Sequence, residues 1–360
     1  MVNEMLGMSV YLGTVSFAEH EQRIREMNAA GFQSIFTSLH IPENDASAYK
    51  DEVQQLGKLA RELGMELMVD VSPSALDSLG FTWDQAEGLL EWGISGLRLD
   101  YGIAPKVIAE LSQVMRVALN ASTVTHEELS HMKAAGLRLE ATEAWHNFYP
   151  RPETALGLED FVKRNNWLHE EGVKVMAFAP GDGQLRGPLF ETLPTLEKHR
   201  QASPLAASLE LMNDAHVDKV LIGDPGLSKA SLEQFKAYQN NKIRLRAKAA
   251  DQAIDQALEA AATLHTNRPD SARDVIRSSE SRPAAMKSGS SVPAQYCVAR
   301  PTGTITVDNE RYLRYQGELQ VTKTDLAADE RVNVLGQVIE EDVALLKYIG
   351  GNQQFEIVWI

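Results

Sequence analysis

The sequence predicts an α/β protein, a (β/α)8 TIM barrel followed by a small C-terminal β-barrel domain. Three observations carry that expectation. Through the first two thirds of the chain, short apolar runs alternate with longer amphipathic segments, the pattern of strands joined by helices. The alternation repeats eight times and ends near residue 240, close to the roughly 250 residues usual for this barrel. Most of the apolar runs end on a polar side chain, and in this fold the C-terminal strand ends face the active site. An open doubly wound sheet is the alternative, but no nucleotide fingerprint accompanies the repeats, which favours closure. The expected domains are residues 1–240 for the barrel and 241–360 for a helical connector with the β-domain.

Taken in order, the strand runs are 8–13 (MSVYLG), 34–41 (SIFTSLHI), 66–72 (ELMVDVS), 96–101 (GLRLDY), 116–122 (RVALNAS), 137–146 (LRLEATEAWH), 174–179 (KVMAFA) and 219–223 (KVLIG). Helices are expected between most of them. Residues 17–30 carry Phe17, Ile24 and Met27 on one stripe, and 49–63 carry Val53, Leu56, Leu59 and Leu63 at spacings of three and four, a helix buried on one face. Gly31, Gly64 and Gly136 follow helical segments, where a left-handed residue ends a helix. Beyond the barrel, 242–264 is Ala-rich and reads as a helical connector. The β-prone runs 295–299, 304–307, 311–315, 317–322, 331–338 and 355–359 then suggest a small antiparallel barrel.

With 44% apolar and 24% charged residues, the chain is long enough to bury a full core. Lys and Arg number 35 against 50 for Asp and Glu, a net charge of −15. Such a balance repels phosphate backbones and anionic lipid, so neither nucleic acid nor a membrane surface is an expected partner. A small anionic substrate stays compatible, because a few local cations can dominate a cleft. The single cysteine, Cys297, forms no intrachain disulfide. Residues 1–11 carry no basic patch before an apolar run and no small-residue cleavage site, so a secretory signal is not expected, and no apolar stretch is long enough to span a bilayer. The expected compartment is the cytoplasm.

The polar strand ends supply the candidate chemistry: His40, Asp70, Asp100, Asn120, the stretch from Glu143 to Asn147, Asp182 and Asp224. The densest cluster runs from Glu143 to Glu153. There Trp145, Phe148 and Tyr149 offer flat faces of the kind on which sugar rings stack, and His146, Asn147 and Arg151 offer hydrogen bonds and charge. After the seventh run, Gly181, Gly183 and Gly187 would permit close backbone approach to a ligand, with Arg186 able to grip an anion. Glycoside cleavage needs one protonated carboxyl group and one carboxylate. Asp100 and Glu143, at the expected ends of the fourth and sixth strands, are the candidate pair, with Asp70, Asp182 and Asp224 as competitors. No zinc-protease motif, nucleophile elbow or phosphate-binding loop occurs, and Cys297 reads as a core thiol.

The segments LRLDYG (97–102), LNAST (119–123), EAWHNFYPRPET (143–154), PGDGQLRGPLFETLPTLEKHR (180–200) and IGDPGLS (222–228) resemble the 6-phospho-N-acetylmuramidase family, glycoside hydrolase family 170. The run 302–338 resembles that family's cyclophilin-like β-barrel. The resemblance covers almost the whole chain; Ala155 stands where family members often carry Gly. It implies an intracellular enzyme of peptidoglycan recycling that hydrolyses the β-1,4 bond between N-acetylmuramic acid 6-phosphate and N-acetylglucosamine, on a disaccharide phosphorylated during uptake. It implies no cofactor and brings no settled catalytic pair, so Asp100 and Glu143 rest on position alone. Asp70, Asn120, His146, Asn147, Arg151, Asp182, Arg186 and Asp224 are the expected substrate contacts, with Arg151 and Arg186 on the phosphate or lactyl carboxylate. Two other readings stay open: a metal-dependent sugar-phosphate isomerase or epimerase using His40, Asp70, His146 and Asp224, and a non-catalytic sugar-phosphate sensor. Self-association as a homo-oligomer, and the role of the β-domain, are not readable from the sequence.

Overall fold

The computed structural model describes residues 5–39, 50–72, 76–77, 79–99, 102–289 and 291–360. The chain divides into two compact units, Met1–Leu232 and Glu233–Ile360. In the first, the strands are β1 (Met5–Ser9), β2 (Phe32–Ser38), β3 (Glu66–Val71), β4 (Gly96–Leu99), β5 (Arg116–Asn120), β6 (Thr142–Trp145), β7 (Lys174–Ala179) and β8 (Lys219–Ile222). They pair in sequence order and β1 also pairs with β8, all parallel, so the sheet closes into a barrel. Helices α1 (Phe17–Ala29) and α4 (His126–Ala134) start on capping boxes, Ser16 with Glu19 and Thr125 with Glu128. Each box satisfies amide groups that a helix start leaves unpaired. Between them come α2 (Lys50–Glu62), a 3-10 helix at Trp83–Leu90 and α3 (Pro105–Val114); α5 (Leu158–Glu170), α6 (Pro204–Asn213) and α7 (Lys229–Gln239) follow. Among the described residues no helix is long and apolar enough to cross a membrane.

The barrel interior is layered. Its middle is apolar: Phe36, Met68, Ala118, Trp145, Met176, Phe178 and Leu221 pack as one cluster. Phe36 lies 5.8 Å from Trp145 and 5.6 Å from Phe178 between ring centroids. Below this layer, at the N-terminal strand ends, sit four charges. Lys219 Nζ is 2.8 Å from Glu143 and 2.7 Å from Glu66, and Arg116 is 2.9 Å from Glu66 and 3.6 Å from Glu143. Burial opposes ionisation of Glu66, but Lys219 and then Arg116 outweigh it and hold its carboxyl below the usual range. Trp145 Nε1 donates to Glu143 at 2.7 Å, linking the two layers.

This arrangement overturns the expected position of Glu143. The run 137–146 is not one strand: a 3-10 turn occupies Leu139–Ala141 and β6 begins only at Thr142. Glu143 is therefore the second residue of its strand, at the barrel's closed end, where its oxygens meet Lys219, Arg116 and the indole. Trp145 is 0% exposed and belongs to the apolar layer, so it offers no stacking face. His146 has the opposite strand parity and points out of the barrel toward α5, with Nε2 2.8 Å from Asn165 Oδ1, Nδ1 3.3 Å from Ser122 Oγ and Phe161 against its ring. The expectation that His146 contacts substrate is likewise overturned, because both ring nitrogens are occupied in the wall.

The second unit is a seven-stranded sheet in the order β10-β15-β9-β14-β12-β13-β11. Its strands are β9 (Lys242–Ala249), β10 (Leu264–Thr266), β11 (Val275–Arg277), β12 (Thr304–Asp308), β13 (Leu319–Thr322), β14 (Val332–Val338) and β15 (Gln354–Trp359). The edges approach each other, with Ser279 N donating to Thr266 O at 2.9 Å and Arg268 N to Arg277 O at 3.0 Å, so the sheet is nearly closed. The expected helical connector at 242–264 is corrected: its first eight residues form β9, paired on both sides, and only α8 (Asp255–Ala261) is helical. Ile243, Leu245 and Ala247 are buried at alternate positions, the strand period, which outweighs the helix propensity of Ala and Lys. Residues 311–315 form a 3-10 helix and 295–299 no strand.

Two predictions follow from the packing. Lys219→Met leaves Glu143 and Glu66 facing each other with a single cation and should cost about 3–5 kcal/mol of stability in urea unfolding; a loss under about 1 kcal/mol would show the pairs to be weak. Burial holds the His146 imidazole down at about 4, with the Asn165 bond offsetting part of the effect. The unfolded chain therefore takes up this proton first as pH falls below about 6.5, and the stability this histidine contributes is lost as pH drops toward 4. Wild type should lose about 2–3 kcal/mol more than His146→Asn between pH 7.5 and 4.5; equal losses would mean that His146 is protonated within the fold.

Candidate active site

At the open, C-terminal end the strands present a polar set. Arg98 of β4 donates from Nη1 to Asp70 Oδ1 of β3 at 3.0 Å and from Nη2 to Asn147 Oδ1 just beyond β6. Ser38 of β2 donates to Asp70 Oδ2 at 3.1 Å. Ser38, Asp70 and Arg98 sit directly across from one another in register. One guanidinium thus spans from a carboxylate to an amide across the mouth. Of the residues expected to contact substrate, Asp70 and Asn147 are brought together here. Asn120 ends β5 half-buried, and its Oδ1 accepts from Ser122 N at 3.0 Å. Asp100 and His40 lie outside the described residues.

The loop after β6 is braced from below. Thr195 Oγ1 donates to Asn147 O at 2.9 Å, and Arg200 Nη2 donates to Tyr149 O at 3.1 Å and to Arg151 O at 3.3 Å. Arg200 also pairs with Glu197 at 2.6 Å, and that bond holds the Glu197 carboxyl down at about 2. The result is a fixed rim on which Phe148 and Tyr149 are half-buried and the Arg151 side chain is exposed. Phe148 stands edge-on to Phe178 at 5.1 Å.

The loop after β7 is tied to the one after β8, which corrects two expectations. Asp224 is 1% exposed, and its carboxylate accepts from Gly181 N and Leu193 N at 2.9 Å and from Arg186 N at 3.3 Å. Burial raises its pKa and the amides only partly offset this. Its lone pairs are consumed by backbone, so it does not reach a ligand. Asp182 accepts from Ser228 N and Oγ at 2.8 Å and from Ser231 Oγ at 2.7 Å, which anchors its loop at the start of α7. The glycines serve the same closeness: a Cβ at Gly181 would lie 2.6 Å from Gly226 O, and one at Gly183 2.6 Å from Leu227 O. They let backbone approach backbone rather than a ligand. Arg186 of this cluster lies against aromatic rings, its guanidinium carbon 4.1 Å from the Tyr11 ring centre and 5.7 Å from that of Phe148.

Three of the four proposed metal ligands do not converge among the described residues. Asp70 is paired with Arg98, His146 faces α5, Asp224 binds amides, and His40 is outside the described residues. Among the described residues no three His, Cys, Asp or Glu side chains gather as a metal site. The sequence reading missed Arg98, Tyr11 and Arg200. Arg98 had a signal: between Leu97 and Leu99 it shares the inward parity of Gly96, a lone cation in an apolar strand.

Two family models match the chain, the N-terminal domain of 6-phospho-N-acetylmuramidase over residues 6–237 and its C-terminal domain over 243–358. No curated protein matches. A conserved protein of unknown function from Enterococcus faecalis is 44% identical, with 99% of this chain and 96% of that one covered and a TM-score of 0.90. An uncharacterised B. cereus protein is 26% identical over 99% of both chains, with a TM-score of 0.74. From the barrel to the last strand, this chain belongs to the 6-phospho-N-acetylmuramidase family.

Proposed function

We propose that this protein is a cytoplasmic glycoside hydrolase of peptidoglycan recycling. It cleaves the β-1,4 bond between N-acetylmuramic acid 6-phosphate and N-acetylglucosamine, using carboxylates and no cofactor. The observation that carries the reading is family membership over both units; the Asp70–Arg98–Asn147 set at the barrel mouth fits it.

Asp70 already accepts from Arg98 and Ser38. It suits the carboxylate that attacks the anomeric carbon or orients the neighbouring acetamido group, since an acceptor held by two donors is poorly placed to give up a proton. Asp100, carried over from its place after the β4 run, is the proposed partner that protonates the leaving oxygen. Glu143 takes no part, being held by Lys219 at the closed end. Asn120 and Asn147 hold sugar hydroxyls and the acetamido group. Arg151 and Arg186 hold the phosphate and the lactyl carboxylate, local cations in a chain of net charge −15.

Purified enzyme is assayed for release of N-acetylglucosamine from the phosphorylated disaccharide. Asp70→Asn and Asp100→Asn should each lower kcat by about a hundredfold or more. Glu143→Gln, corrected for folded fraction, should stay within a few-fold of wild type. Near-normal turnover in both aspartate variants would remove the assignment. Turnover should also survive dialysis against EDTA; its loss, restored by a divalent ion, would overturn the metal-free route, whereas isomerised product without N-acetylglucosamine release would point to the metal-dependent isomerase reading.

A further inference from the structure

Arg186 is held from two directions. Its own amide, with those of Gly181 and Leu193, is bonded to the buried Asp224 carboxylate, so the backbone of residues 181–193 is pinned at three points. Its guanidinium lies over the Tyr11 ring, which is fully buried and cannot move aside. The Tyr11 hydroxyl donates to Gly223 O at 2.5 Å, and burial pushes its pKa well up, so it stays a neutral donor. Gly223 precedes Asp224, and a Cβ there would lie 2.2 Å from Leu193 O. Tyr11, Gly223 and Asp224 therefore form one continuous support beneath the arginine. The strands behind it, β7, β8 and β1, lie across the barrel from the β3–β4 side that carries Asp70 and Arg98.

Despite the excess of acids in this chain, no carboxylate is in ion-pair contact with Arg186 among the described residues, although the buried Asp224 carboxylate and the Tyr11 hydroxyl both feel its charge. A guanidinium stacked on aromatic faces still directs N–H groups outward, a fork that can meet two oxygens of a tetrahedral phosphate at once. One whose backbone and ring platform are both fixed loses little freedom on binding. We propose that Tyr11 and Asp224 are positioning residues that preorganise Arg186 as a clamp for a phosphomonoester, and so set the preference for phosphorylated over unphosphorylated substrate. This rests on the proposed activity only in naming that phosphoryl group as the sugar 6-phosphate.

The test compares wild type with Arg186→Met, Tyr11→Phe and Asp224→Asn. Tyr11→Phe keeps the ring and removes only the tether to Gly223, so it remains informative if Asp224→Asn fails to fold. Two quantities are read: the calorimetric affinity for inorganic phosphate, and the ratio of kcat/KM for the phosphorylated and unphosphorylated disaccharides. Both should fall by at least about tenfold in Arg186→Met and in the same direction, by several-fold, in the two positioning variants. If Arg186→Met loses phosphate affinity while Tyr11→Phe and Asp224→Asn keep both quantities, the positioning claim is overturned. If none of the three changes phosphate affinity, the clamp itself is overturned. If phosphate affinity falls as expected but wild type cleaves neither disaccharide, the clamp stands and the proposed activity fails.

Discussion

One buried ammonium group organises the first unit. Lys219 stands between Glu143 and Glu66 inside the barrel, and Arg116 completes a balanced set of four charges. Lys219, Glu143 and Glu66 are too costly to bury unpaired, so each fixes the others in place, with the exposed Arg116 closing the set from the solvent side. The indole of Trp145, bonded to Glu143, carries that constraint into the apolar layer above. One end of the barrel is thereby sealed by charge and then by rings. A second polar set, Asp70, Arg98 and Asn147 bonded to one another, gathers at the other end, where the connecting loops supply the walls.

Those walls are built by backbone capture. Asp224, Asp182, Thr195 and Arg200 spend their side chains on amides, hydroxyls and carbonyls of the three loops after β6, β7 and β8. The groups left facing the mouth, Asp70, Arg98, Asn147 and Arg186, are few and rigidly seated. Such a division suits a site that binds a polar sugar: geometry comes from residues that never touch it, and recognition from a handful that do.

The barrel was legible because eight strand-and-helix repeats with polar strand ends leave few other closures. Single-residue placement was less so. An alternating run such as 137–146 shows parity but not where the strand begins, and the turn at Leu139–Ala141 shifted Glu143 from the expected top to the bottom. Parity, applied strictly, would have separated inward Trp145 and Asn147 from outward His146. Asp224 lay beyond reach, since its partners are amides of a loop some forty residues away and amides leave no mark in side-chain patterns. In the second unit, Ala and Lys in 242–249 masked an apolar–cationic alternation that two neighbouring strands confirm.

The parallel pairing of β9 with β15 has a consequence for how the second unit is made. These strands come from opposite ends of the unit, yet they lie side by side within the sheet, and β15 is also the strand on which β10 pairs. On the ribosome, β9 emerges early and must wait, its apolar face uncovered, until β15 has left the exit tunnel. Synthesis that stalls before β15 would strand a sheet with an open seam, a surface that chaperones and proteases recognise.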